Sequence, residues 1–144
     1  MNATRPAGTG PGLAPGLRAS VQVTVGDADT SAALGSGDVP VLATPRLLAL
    51  AEAAAVAAVA PHLAQGFTSV GTAVSMEHRH ASPLGARVLV EAELTGVEGT
   101  RLEFSFIARA ADGSDDEDAV IGAGTHERVV VQRDRFLARA RQGL

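Results

Sequence analysis

Val21, Val23 and Val25 alternate with polar Gln22 and Thr24, the period-two signature of a strand with one buried face. Residues 26–37 (GDADTSAALGSG) break that pattern and read as a loop long enough to cover a substrate. An Ala/Leu/Val run then extends to Ala60 and predicts one long helix. Thr44 is a favoured N-cap, Pro45 suits the first helical turn, and Pro61 stops the run. Ala fills eight of the sixteen positions 45–60, which raises helix propensity and lets a sheet approach closely. Nearly the whole circumference is apolar, so burial on most sides is expected.

Four strand-like segments follow at 70–80, 87–97, 101–110 and 120–132. In the second, Val88, Val90, Ala92 and Leu94 alternate with Leu89, Glu91 and Glu93. Glu98 and Gly99 mark a tight turn into the third. Residues 112–118 (DGSDDED) form an acidic turn, and 133–141 a short terminal helix. Consecutive strands joined by short turns are most simply antiparallel, giving a four-strand meander. One helix laid on such a sheet is an α+β architecture, and an antiparallel sheet wrapped around one long buried helix is the hotdog fold. The first sixteen residues are rich in Gly and Pro with few large apolar side chains, and are expected to form a disordered tail. Residues 17–144 then make a single domain.

Composition narrows the partners. The chain is 46 % hydrophobic but has only four Phe and no Trp or Tyr, so each buried side chain contributes little area. Self-association is the expected source of further burial. All twelve basic residues are Arg, the net charge is −4, and no basic stripe appears, which argues against nucleic acid. Cysteine is absent, excluding disulfides, thiolate metal sites and a Cys nucleophile, and fitting a cytoplasmic protein. The most apolar stretch, residues 47–60, is short for a bilayer, and no signal-peptide pattern follows Arg5, so no membrane partner is expected.

Three residues carry chemistry. Glu52 lies on an apolar stripe with Leu48, Val56 and Val59, where a carboxylate must be paired, hydrogen-bonded or protonated unless the helix is less buried than it looks. His78 shares the even face of its strand with Thr72, Val74 and Met76, facing the helix; it is either a satisfied core residue or a proton carrier paired with Glu52. Thr44 beside the helix start is a cap, a nucleophile, or both, next to free N–H groups suited to a carbonyl oxygen. His80 sits nearer the rim, with no role assigned. No Walker, GxSxG, HExxH or dinucleotide motif occurs, and the acidic turn lacks EF-hand spacing.

The stretch from Asp38 to Arg141 resembles the fluoroacetyl-CoA thioesterase family of hotdog proteins. The resemblance runs through VLATPRLLALAEAAAVAAVAPHL, SVGTAVSMEHRHASPLG, LTGVEGTRLEF and IGAGTHERVVVQRDRF. GTHER at 124–128 and HxxxSPxG at 78–85 are its sharper signals. It implies catalytic roles for Thr44, Glu52 and His78, a backbone contact from Gly71 to substrate, and a homodimer. Arg128 is expected to bind substrate or to support the site, or else to tie the sheet to a neighbouring chain. Coenzyme A, or an acyl-carrier phosphopantetheine, would be part of the substrate, with no metal or redox cofactor. Residues 35–43 (GSGDVPVLA) lack the bulky aromatics that the fluoroacetate-specific member uses before its Thr, so a different acyl preference is expected. A hotdog dehydratase or hydratase, and a non-catalytic acyl-binding protein, are the competing readings.

Overall fold

A computed structural model describes residues 6–111 and 119–143. Strand β1 (Arg18–Thr24) precedes a one-turn helix α1 (Ser31–Leu34) and the long helix α2 (Thr44–Val59). Strands β2 (Phe67–His78), β3 (Arg87–Glu98), β4 (Arg101–Ala110) and β5 (Val120–Gln132) follow, then helix α3 (Arg133–Arg141). All pairings are antiparallel in one sheet of order β1-β3-β4-β5-β2. This is the expected α+β hotdog arrangement.

The strand order departs from the simple meander. β2 does not pair with β3, because β1 occupies that edge; β2 lies at the far edge, beside β5. The sheet curls so that α2 packs mainly against β3 and β1 and also reaches β2 and β4. Val88, Val90, Ala92 and Leu94 of β3 and Leu102, Phe104, Phe106 and Ala108 of β4 are buried beneath it. Each such large aliphatic side chain stabilises the fold by roughly 1.5–3 kcal/mol when fully buried.

Helix α2 buries one face, not most sides. Leu47, Leu50, Ala51, Ala54, Ala55, Ala58 and Val59 meet the sheet at helical spacing. Ala49, Ala53, Val56, Ala57 and Ala60 lie opposite and are exposed, an apolar stripe with no cover in one chain. A 3₁₀ turn continues the helix through His62, so Thr44–His62 is 19 residues long and apolar enough to cross a membrane by length and composition. That length exceeds the sequence estimate, but its inner face is the core of the sheet.

Two loop expectations also change. Residues 6–16 are held against the body rather than free. Thr9 bridges Leu63, Gly10 N–H donates to the His62 carbonyl at 2.7 Å, and Leu13 packs on the core. Backbone hydrogen bonds thus replace the side-chain burial that this Gly/Pro segment lacks; residues 1–5 lie outside the described residues, as does the acidic turn at 112–118. Within 26–37, a 3₁₀ turn and α1 are capped by Thr30, whose hydroxyl accepts from Ala33 N–H.

Candidate active site

The N-cap position of α2 falls one residue before Thr44, the residue best suited to it. Ala43 is the N-cap and makes no side-chain cap bond, while Thr44 is already helical. The Thr44 hydroxyl, exposed and free of capping, meets His78 Nδ1 at 2.8 Å. Several contacts fix this meeting. Leu42 N–H donates to the Ser82 carbonyl at 2.8 Å, and Val41 bridges Pro83, joining the helix entry to the chain after β2. Arg46 pairs with Asp29 at 2.8 Å, and Ala43 N–H donates to the Asp29 carbonyl. The Asp29 carboxyl is held below its usual range by the Gly26 N–H and then by Arg46.

Burial lowers the His78 pKa below the ordinary imidazole value, with the His80 backbone opposing weakly. A neutral ring can accept the Thr44 proton at Nδ1. His78 Nε2 is buried and makes no hydrogen bond among the described residues, an unsatisfied group of the kind that marks chemistry or a missing partner.

Glu52 stands elsewhere. Eight residues along α2 separate it from Thr44, about 12 Å of helix axis. Its Oε2 lies 3.4 Å from Arg128 Nη1, so within one chain Glu52 pairs with Arg128 and does not meet His78. Arg128 is buried; its Nε donates to Ser69 Oγ at 2.8 Å and its Nη2 to the Ser69 carbonyl at 2.9 Å. Burial lowers the Arg128 pKa and Glu52 opposes this, but a guanidinium remains charged. Arg128 therefore braces the site from within the chain.

His126, which pattern reading passed over, completes this cluster. Its Nδ1 lies 2.8 Å from the Ala73 carbonyl and its Nε2 3.1 Å from Arg128 Nη1. Donation at Nδ1 and acceptance at Nε2 require the neutral ring, and burial lowers its pKa in the same sense. The signal was present: His126 and Arg128 are two apart on one strand and share a face.

A β-bulge sets which residues face the helix. The β2–β5 register shifts between Gly71 and Ala73. Thr72 is thereby turned outward, where its hydroxyl donates to Glu127 Oε2 at 2.6 Å. Ser69 and Gly71 face inward along with Val74, Met76 and His78, correcting the uniform even-face assignment. A Cβ on Gly71 would lie 2.9 Å from Glu52 Oε2 and 3.2 Å from His126 Cε1, so the missing side chain makes room for the carboxylate. Glu52, Gly71, Ala73, Val74 and His126 line a cavity of about 230 Å³ open at the β2 edge. Gly124, opening the GTHER stretch, passes so close to Ser75 and Phe106 that no Cβ fits.

Residues 25–134 match the family model described as fluoroacetyl-CoA-specific thioesterase. A fluoroacetyl-CoA thioesterase of Streptantibioticus cattleyicolor is 46 % identical over 102 residues, spanning 71 % of this chain and 69 % of that protein. A crystallised variant of the fluoroacetyl-CoA thioesterase, in complex with acetyl-CoA, superposes with a TM-score of 0.81 at 36 % identity, covering 91 % of this chain and 98 % of that one. A Thermus thermophilus hypothetical protein, a thioesterase superfamily member, gives 0.81 at 26 % identity, covering 92 % and 93 %.

Proposed function

The chain belongs to the fluoroacetyl-CoA-specific thioesterase family and hydrolyses acyl-CoA thioesters, and from that premise we propose that Thr44 and His78 form its nucleophile–base couple, with Glu52 completing the site. The observation that carries this reading is the 2.8 Å contact between the uncapped Thr44 hydroxyl and the imidazole of His78. His78 Nδ1 takes the hydroxyl proton as Thr44 Oγ1 attacks the thioester carbonyl. The carbonyl oxygen gathers negative charge beside the free N–H groups of the first helical turn. Collapse breaks the C–S bond, and the proton on His78 goes to the departing thiolate. Water then cleaves the Thr44 ester with His78 again as base, releasing the carboxylic acid.

The working unit is a homodimer formed through β2. That strand is twelve residues long and, among the described residues, leaves one edge unpaired, near the exposed apolar stripe of α2 and exposed Val74. Long open edges invite pairing with another chain, and a two-fold axis pairs β2 antiparallel with its copy. This brings the Gly71–Glu52 end of one protomer toward the His78 end of the other. It bridges the roughly 12 Å that separate Glu52 from Thr44 within one chain. The partner's Glu52 then stands beside the Thr44–His78 couple, where a carboxylate can position the attacking water.

A short acyl group is expected, as for the relative solved in complex with acetyl-CoA. With no Phe in residues 35–43, we expect no strong preference for the fluorinated acyl group. The protein acts in the cytoplasm on acyl-CoA thioesters, without metal or redox cofactor. Thiol release from acetyl-, fluoroacetyl- and longer acyl-CoAs tests this. Comparable kcat/KM on the two short substrates and a fall with chain length is expected; strong fluoroacetyl selectivity would refute the acyl assignment, and no thiol release on any chain would refute the site.

A further inference from the structure

The two halves of β2 serve the site on opposite parity. Ser69 stands opposite Val130 and Gly71 opposite Arg128, so odd positions face α2 in the first half. Val74 stands opposite His126, Met76 opposite Gly124 and His78 opposite Gly122, so even positions face it in the second. Thr72 is the extra residue between them, the point at which the strand changes phase. Without it, a strand that aimed Gly71 at Glu52 would aim His78 away from Thr44.

Contacts on both faces of the sheet hold the chain at that point. On the inner face, His126 Nδ1–H donates to the Ala73 carbonyl at 2.8 Å. On the outer face, the Thr72 hydroxyl donates to Glu127 Oε2 at 2.6 Å and lies 3.2 Å from the Glu127 carbonyl oxygen. Arg101 holds Glu127 in turn, with its Nε 2.6 Å from Glu127 Oε1 and its Nη2 2.8 Å from Glu103 Oε1. Glu103 and Glu127 stand directly opposite each other on β4 and β5, so this guanidinium offsets a like-charge pair. The Thr72 hydroxyl first, and Arg101 after it, keep the Glu127 carboxyl below its usual range. Of the charged residues of GTHER, Glu127 is the one that neither the Thr44–His78 couple nor the Arg128 cluster uses.

We propose that Thr72 and Glu127 are positioning residues, an outer-face latch that fixes the bulge and thereby the place of Gly71 against Glu52. The Glu52 carboxylate occupies space that a side chain at position 71 would fill. If the bulge slid one residue toward the start of β2, Thr72 would stand opposite Arg128 and bring a β-branched side chain into that space. The latch opposes this slip by holding Thr72 outward. Thr72 and Arg101 are exposed and Glu127 half-buried, so the network adds little to global stability. A misplacement of about 1 Å within a site can nonetheless cost on the order of a hundredfold in rate. The effect on turnover rests on the thioesterase reading and on Glu52 as a working carboxylate.

Thr72→Val removes the hydroxyl at nearly constant shape and keeps the β-branching. Its kcat on acetyl-CoA should fall about tenfold or more with KM and Tm little changed, while Thr72→Ser keeps the wild-type kcat. Glu127→Ala should give the same fall, and the double variant no more than either alone, because both break one device. Cross-strand nuclear Overhauser contacts between β2 and β5 read the slip without any turnover: in Thr72→Val, residue 72 should replace Gly71 opposite Arg128. A wild-type kcat in Thr72→Val, or an unmoved register, would overturn the proposal. Failure of both single variants to fold, or an equal loss in Thr72→Ser, would assign the pair to stability and overturn it as well. If the wild type releases no thiol, the thioesterase reading fails, while the Overhauser contacts still decide the latch.

Discussion

The Thr44 hydroxyl and His78 Nδ1 stand 2.8 Å apart although thirty-four positions separate them in the chain. The pair exists because Ala43, not Thr44, caps α2, leaving the hydroxyl free to turn toward β2. Thr44→Ser keeps the hydroxyl and should retain most activity. Thr44→Val removes it at nearly constant shape and should lower kcat by about 10²-fold or more. Because Thr44 is exposed and caps nothing, its Tm should barely move. A Thr44→Val enzyme of wild-type kcat would remove the nucleophile from the mechanism.

Arg128 joins Glu52, Ser69 and His126 through one buried guanidinium. Arg128→Lys keeps the charge but not the fork, and should not rescue the site. Arg128→Ala should cost about 1.5–3 kcal/mol or more, from lost charged hydrogen bonds and the unsatisfied groups left at Ser69 and His126. Chemical denaturation measures this, and a loss below about 0.5 kcal/mol would show that the network does not brace the fold.

At Gly71 the expected effect falls on activity more than on stability. The nearest obstacle to a Cβ is the Glu52 carboxylate, the end of a flexible side chain that can swing away. Gly71→Ala should therefore fold while displacing Glu52, lowering kcat at a Tm within a few degrees of wild type. By contrast, Gly124→Ala places its Cβ against the Ser75 backbone, which cannot yield, and should unfold or fail to express. A Gly71→Ala enzyme with wild-type kcat would place the working carboxylate elsewhere.

Burial lowers the pKa of both His78 and His126, so each is neutral in the folded protein at neutral pH. The unfolded chain binds protons to these rings near the ordinary value of about 6.5. Their contribution to stability is therefore present above that value. It is lost as pH falls through it toward their folded values. Tm should drop between about pH 7 and 5 in the wild type and drop less in a His126→Gln variant. The acid limb of kcat/KM should reflect His78, which must be neutral to accept the proton; burial lowers its pKa and a partner's carboxylate beside the ring raises it, so Glu52→Gln should move the limb to lower pH. An acid limb unmoved by both Glu52→Gln and His78→Gln would assign the base to another group.

Much of the frame was legible because its residues act locally. Alternation placed β1 and β3, the strand-like segments 101–110 and 120–132 matched β4 and β5, and the Ala-rich run between two prolines placed α2 within a residue at each end. The terminal helix at Arg133–Arg141 agreed with its pattern as well. What failed depended on contacts between distant segments. Thr44 looked like a cap because Thr is a good one, yet His78 competes for its hydroxyl across the fold. Even spacing put Thr72 on the face of His78, but a bulge at Gly71–Ala73 shifts the phase by one, which no local pattern announces. Glu52 needed a partner by burial logic, and within one chain the sheet supplies Arg128, a pairing that no local pattern announced. The place of β2 beside β5 follows from β1 taking the β3 edge, a choice made by the whole sheet.

The central claim is that one site draws His78 from one chain and Glu52 from its partner. Glu52→Ala and His78→Ala, each inactive by itself, should regain thiol release on acetyl-CoA when unfolded together and refolded as mixed dimers. Each mixed dimer then holds one intact site of two, so random pairing predicts about a quarter of wild-type activity. Recovery near that level would establish the shared site. Mixed dimers that form, as shown by co-purification of differently tagged chains, yet stay inactive would contradict it.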